Sequence, residues 1–235
     1  MTVKLLHSTP LWVASKAIRK CWASEDKNDT LTHYDAVLEV FDTNTGPKDK
    51  ELIHRVGNKN KHASTLEHIN YSFDIDGISR ACLQELARHR HASMSVKSTR
   101  YTLKELKEEQ QLVLVNEHYT EYLIDVAKKY IVMPPHANRY DKVWQGQVRA
   151  LELLREELVY SKDSNDILKY MLPESYKTSL VWTINMRSLQ NFLALRTNKA
   201  ALWEIRDLAN LIYNTLPEEH KYMYTEFIYK ENKNG

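Results

Sequence analysis

The densest chemistry in the chain is Arg88-His89-Arg90-His91, four consecutive cationic or imidazole residues set between apolar Leu86 and Ala92. Two guanidiniums flanking an imidazole form a compact anion site, with planar forks of donors that suit a phosphate or a carbonyl-rich ring. Glu85 stands three residues before Arg88 on the same predicted helix face and can orient that guanidinium. A helix C-terminus also draws positive charge without any ligand, so a solvated helix end is the competing reading. The next stretch, Ser93-Met94-Ser95-Val96-Lys97-Ser98-Thr99-Arg100, adds hydroxyls, backbone donors and two more cations. Lys97, Ser98, Thr99 and Arg100 together suit a phosphate monoester. Taken alone they serve equally as an ordinary polar loop.

Asn185, Arg187 and Asn191 open a second group. Arg187 and Asn191 are four apart and project together from a predicted helix, with Met186, Leu189 and Leu193 on its buried side. That polar face is either a ligand surface or plain solvent surface, and spacing does not separate the two. Arg196 ends the apolar run Phe192-Leu193-Ala194-Leu195, and a guanidinium there needs an anionic or carbonyl partner, because an unpaired buried charge is costly. Lys169, four residues before Pro173, reads either as a phosphate ligand or as a surface lysine. His62 and His68 flank Ala63 to Glu67, and His89 and His91 form His-x-His. Their spacing fits no structural zinc pattern, so no metal is expected. Cys21 and Cys82 fall on predicted apolar stripes and read as core thiols rather than nucleophiles.

Composition narrows the field. The chain has 235 residues of which 43% are hydrophobic, enough to bury a sizeable core. Its 33 basic and 31 acidic side chains leave a net charge of +2, which gives no global pull toward nucleic acid or a membrane. No apolar run has transmembrane or signal-peptide length, and there are only two cysteines. A reduced, soluble, cytoplasmic protein is expected. With five glycines in all, neither G-x-G-x-x-G nor G-x-x-x-x-G-K-[ST] occurs. Any nucleotide or flavin must then be held by side chains and helix ends. Two other classes use the same residues. One is an RNA binder working through His89, the arginines and the 14 tyrosines, although those tyrosines mostly fall at core spacing. The other is a metal-dependent hydrolase.

These side chains must be positioned by regular elements. Pro10 begins a predicted helix with Leu11, Ala14, Ile18, Cys21 and Trp22 on its core face. Residues 25 to 48 read as a polar excursion ending in the turn Thr45-Gly46-Pro47, and Asp49 to Val56 as a short helix stopped by Gly57. Ile69 to Asp76 alternates apolar and polar without a break, which predicts a strand ended by Gly77. A helix then runs from Ile78 to His91 with Ile78, Ala81, Cys82 and Leu86 inward. Ser93 to Ser98 reads as a polar turn, and Thr102 to Glu105 as a capping box. Further helices are predicted at Tyr119 to Tyr130, Val143 to Tyr160, Ser164 to Met171 and Asn185 to Arg196. A last one runs from Leu202 to its end at Pro217, and Thr178 to Ile184 reads as a strand. No repeat or linker interrupts the chain. Residues 1–235 are therefore expected to form a single α+β domain, with a small, mostly antiparallel central sheet covered by helices.

Arg88-His89-Arg90, then seven residues, then Ser98, resembles the signature of the flavin-dependent thymidylate synthases. The blocks His62 to His68, Asn185-x-Arg187-x3-Asn191-Phe192-Leu193-x-Leu195-Arg196 and Trp203-Glu204-Ile205-Arg206 stand around it in the family's order. The resemblance implies a methyltransferase that converts dUMP to dTMP with FAD, 5,10-methylenetetrahydrofolate and NADPH or NADH. It implies a homotetramer with sites between subunits and no cysteine nucleophile. FAD contacts would come from Ser64, Arg88, His89, Arg90, Asn185, Arg187 and Asn191. Contacts to dUMP would come from Glu85, Arg88, Lys97, Ser98, Thr99, Arg100, Lys169 and Arg196, and His62 would border the flavin on the folate side. Arg196 would be the catalytic group, drawing charge off the uracil ring. Ser98 ranks as a nucleotide ligand, since Lys97 and Thr99 offer no general base. Lys169 stands where the family often has an arginine, which leaves a point charge for phosphate. Val96, Glu85 and Ala200 stand where many members carry glutamate, glutamine and histidine.

Overall fold

The computed structural model describes residues 1–35, 40–109, 121–135 and 142–229. The predicted position Tyr119 lies outside the described residues. Strands β1 (Thr2–Ser8), β4 (Asn70–Ser79), β5 (Ala92–Val96) and β6 (Lys177–Asn185) form an antiparallel sheet in the order β1-β4-β6-β5. Strands β2 (Leu31–Asp35) and β3 (Val40–Asn44) form a separate antiparallel hairpin, with Leu31 opposite Asn44 and Asp35 opposite Val40. The α+β expectation holds. Among the described residues no helix is long and apolar enough to cross a membrane.

The chain gathers into two compact units. The first comprises Met1–Thr2, Ile75–Arg88 and Ser95–Leu180; the second comprises Val3–Asp74, His89–Met94 and Val181–Gly235.

In the first unit, β4 does not stop at Gly77. That residue adopts φ 74° beside the Met1 backbone, a conformation open to glycine, and the strand continues to Ser79. The Ser79 hydroxyl accepts a hydrogen bond from the Cys82 N–H at 2.9 Å and so starts α3 at Arg80, two residues later than the spacing predicts. Helix α3 (Arg80–Ala87) ends before the cationic run, so Arg88 is its C-cap and His89 to His91 lie beyond it. The predicted polar turn at Ser93 to Ser98 is largely β5, whose hydroxyl-rich pattern conceals a strand. Helix α4 (Thr99–Thr102) and helix α5 (Lys104–Lys107) follow. Thr102 forms no capping box; its hydroxyl donates back to the Ser98 carbonyl at 3.0 Å. Helices α6 (Glu121–Tyr130), α7 (Lys142–Tyr160) and α8 (Asn165–Leu168) complete the unit. Trp144, Val148, Leu151, Leu154 and Leu158 of α7 recur at three or four residues and pack with Leu103, Leu106, Val126 and Tyr130.

In the second unit, α1 (Trp12–Cys21) buries Ala14, Ser15, Ile18 and Arg19, and its N-cap Leu11 is buried with them. Its buried stripe is turned toward Ser15 and Arg19, because the Arg19 guanidinium reaches the fully buried Asp49 carboxylate at 2.5 Å. Cys21 therefore falls at the edge of the stripe and is exposed, contrary to its predicted core position. Trp22 is also exposed, since the helix ends at Cys21 and Ala23 turns the chain at φ 44°. Residues 25 to 48 carry the β2–β3 hairpin where only a polar excursion was expected. Helix α2 (Pro47–Ile53) runs into a wide turn, His54–Lys59, that passes through Gly57 instead of stopping there. A Cβ at Gly57 would meet Leu66 at 2.7 Å, so the glycine serves close packing. Helices α9 (Met186–Arg196) and α10 (Trp203–Thr215) are where the periodicity predicts them. Helix α10 ends just before Pro217, as expected, but it is not the last: a short helix, α11 (Glu218–Lys221), follows the proline.

That short helix buries His220, whose Nδ1 lies 2.8 Å from the hydroxyl of buried Tyr71. Burial lowers the His220 pKa from 6.5 to about 4, with Lys50 adding to the shift. The ring is then neutral when folded, while the unfolded chain takes up a proton below about 6.5. Stability from this group is complete above pH 6.5 and is lost as pH falls toward about 4. The loss is on the order of 3 kcal/mol. Urea midpoints measured from pH 7 downward should fall more steeply in the wild type than in His220→Gln. Parallel profiles would exclude this coupling.

Candidate functional site

In the first unit the phosphate candidates cluster around α4 and α8. Lys97 follows β5, and its N–H donates to the Ser179 carbonyl at 2.8 Å, fixing where the strand gives way to the helix. Ser98 is the N-cap of α4, and Thr99 and Arg100 form its first turn. Arg100 is gripped from two directions by the start of α8. Its Nε and Nη2 donate to the two Asp166 oxygens at 2.7 and 3.1 Å, and its carbonyl accepts from Asn165 Nδ2 at 2.8 Å. Lys169 Nζ lies 3.9 Å from the same Asp166 carboxylate. Two predicted phosphate ligands distant in sequence are thus drawn to one anionic group. Lys97 Nζ approaches Glu105 at 3.7 Å. Glu85 on α3 accepts from Arg88 Nη1 at 3.4 Å, as the three-residue spacing predicts. Asp166 and Asn165 carry no signal in the sequence that would have singled them out.

In the second unit the organising element is α9. The Asn185 side chain accepts from the Ser188 N–H at 2.8 Å and caps the helix, while the Met186 N–H donates to the Ile69 carbonyl at 2.7 Å. The 63–68 turn (Ala63–His68) is tied to the same helix start by Arg187 Nη1, 2.7 Å from Glu67. The two separate motif blocks therefore meet in space. Ser64, His62, Arg90 and Asn191 are exposed, with Asn191 one helical turn after Arg187. At the far end of α9, Arg196 Nε donates to His89 Nε2 at 3.0 Å. The His89 ring stands edge-on to Phe192 at 4.9 Å, and Phe192 in turn packs on Trp182 at 5.1 Å. Where an anionic or carbonyl partner was expected, the contact at Arg196 Nε is an imidazole, a pairing that residue order does not signal.

Ala200 lies past α9, its N–H bonded to Asn198 Oδ1 at 2.9 Å, and Val96 is exposed at the end of β5. Cys82 is buried on α3. Among the described residues no three His, Cys, Asp or Glu side chains gather as metal ligands.

The described residues thus hold a small antiparallel sheet, an arginine–carboxylate–lysine cluster in the first unit and an arginine–asparagine helix face in the second. Residues 4–220 match the sequence model of a family described as thymidylate synthase complementing protein. The flavin-dependent thymidylate synthase of Wolinella succinogenes is 53% identical over 224 residues, covering 95% of this chain and 97% of that protein. Its counterpart in Campylobacter jejuni is 50% identical over 231 residues, covering 98% and 99%. Thymidylate synthase X of Helicobacter pylori, whose crystal structure contains FAD and dUMP, matches with a TM-score of 0.83 at 46% identity, covering 98% of this chain and 100% of that one. The chain belongs to the flavin-dependent thymidylate synthase family, as its ordered motif blocks imply.

Asn185 has a structural task whatever it binds. Asn185→Ala should cost about 1 kcal/mol in cofactor-stripped protein, and Asn185→Ser most of a unit less. Equal urea midpoints for the two variants would remove the cap from the account.

Proposed function

We propose that this chain catalyses the reductive methylation of dUMP to dTMP, with 5,10-methylenetetrahydrofolate as methylene donor, NADPH or NADH as reductant and FAD as cofactor. What supports this most is the near full-length likeness to a protein solved with FAD and dUMP. FAD, when bound, supplies the two-electron relay between the nicotinamide and the carbon being transferred. The donor set fits such a group. Ser64, Arg88, His89, Arg90, Asn185, Arg187 and Asn191 offer hydroxyl, amide, imidazole and guanidinium donors, and the chain has no glycine-rich loop to do that work.

On this reading the nucleotide phosphate takes its charge partners from Lys97, Arg100 and Lys169, with Ser98 and Thr99 adding hydroxyls and the first N–H groups of α4. The closeness of Arg100 and Lys169 to one carboxylate supports it, because two cations must be held near each other to share a phosphate. Glu85 orients Arg88 beside the nucleotide. Arg196 meets the uracil carbonyl and N3 edge and stabilises negative charge as it develops on the ring. His62 borders the flavin on the folate side. No cysteine acts as nucleophile: Cys82 is buried on α3, and Cys21 is the last residue of α1. The active form is a homotetramer with its sites between subunits, working in the cytoplasm.

Absorption spectra test the reading directly. FAD-loaded protein should show flavin bands that bleach with NADPH under anaerobic conditions, and dUMP should alter the rate or the spectrum. A protein that neither takes up FAD nor responds to dUMP would refute the assignment. Arg196→Ala should lower dTMP formation by at least about a hundredfold while sparing most FAD binding. Near-normal turnover would take Arg196 out of the mechanism.

A further inference from the structure

We infer that His89 is the positioning residue for Arg196, its neutral imidazole fixing the plane in which that guanidinium meets the pyrimidine; this rests on the reading of Arg196 as the uracil contact. The geometry is specific. Arg196 Nε–H donates to His89 Nε2 at 3.0 Å, so Nε2 must offer a lone pair and the ring proton must sit on Nδ1. A hydrogen bond at Nε restrains the last rotatable bonds of the arginine and so sets the plane of the terminal Nη1/Nη2 fork. The imidazole is itself held. Its edge-on contact with Phe192, at 4.9 Å and 80°, places it at the end of a chain of packed rings. That chain runs through Trp182, 5.1 Å from Phe192, and Phe73, 6.2 Å from Trp182, to Tyr71. Tyr71, Phe73, Trp182 and Phe192 are all fully buried. The acceptor is therefore anchored to the core, and Arg196, half-buried at the end of α9, is oriented by a fixed point. This role differs from that of a flavin contact, because it acts on the nucleotide through Arg196.

A double-mutant cycle on dUMP affinity tests it, using FAD-saturated protein and dUMP-induced changes in the flavin spectrum. His89→Phe keeps a ring against Phe192 and removes the acceptor, and should weaken dUMP about tenfold. Arg196→Ala should weaken it at least as much. The double variant should then be no weaker than Arg196→Ala alone, within about twofold, because the histidine acts only through the arginine. His89→Gln, which returns an oxygen acceptor near the Nε2 position, should recover most of the loss. Losses that multiply in the double variant, or a Gln variant no better than Phe, would overturn the positioning role while leaving Arg196 as the uracil contact. An Arg196→Ala protein with unchanged dUMP affinity would overturn both. In the wild type, histidine-selective 15N spectra should show His89 neutral and protonated on Nδ1 at pH 7.5. A proton on Nε2 would refute the arrangement even if the Phe variant does not fold.

Discussion

The second unit's candidate chemistry depends on how firmly α9 is held. Its N-terminus is capped by Asn185 and tied by Met186 N–H to the Ile69 carbonyl, at the point where β4 begins. Its middle drives Phe192 into Trp182, so neither end can shift without opening the aromatic core. Fixing one helix in this way sets the positions of Arg187, Asn191 and Arg196 together. They sit on a rigid element and not on a loop, and this gives side chains a reproducible direction. Glu67, on the neighbouring 63–68 turn, then completes the arrangement by meeting Arg187.

The first unit solves a different problem with different means. Arg100 and Lys169 carry like charge and repel one another when brought close. Asp166 lies against both and offsets that repulsion, while Asn165 takes the Arg100 carbonyl and so fixes backbone as well as side chain. The ion pairs are largely exposed, so they contribute little to stability. Their effect is geometric. A carboxylate that spaces two cations can be joined by a phosphate, whose oxygens take up the donor capacity that Asp166 leaves.

Much of this was legible from residue order. Strict alternation over Ile69 to Asp76 marks β4, whose Tyr71, Phe73 and Ile75 are fully buried, and i, i+3, i+4 spacing marks α7, α9 and α10. The errors have local causes. Gly77 stays inside its strand because a positive φ is free to glycine, and a breaker in composition is then not a breaker in structure. Ser93 to Val96 is a strand because ladder pairing overrides the turn propensity of serine. Cys21 is exposed because a buried ion pair, Arg19 with Asp49, rotates the stripe that periodicity alone would draw. The cations of the candidate site were visible as clusters in sequence. Their carboxylate partners were not, since Glu67 and Asp166 acquire meaning only from contacts made across many intervening residues.

The kind of partner each guanidinium has is also informative. Glu85, Glu67 and Asp166 both orient an arginine and cancel part of its charge. Such residues suit binding, where a ligand's own charge adds to a balanced site. His89 works differently on Arg196. An imidazole that accepts at Nε2 fixes direction, and as a neutral acceptor that contact itself subtracts no charge from the guanidinium. Stabilising charge that appears only during a reaction requires donors that are already aimed and not already neutralised. An imidazole acceptor seated on a buried aromatic chain aims the donor without itself cancelling charge, which a carboxylate in the same place would not do.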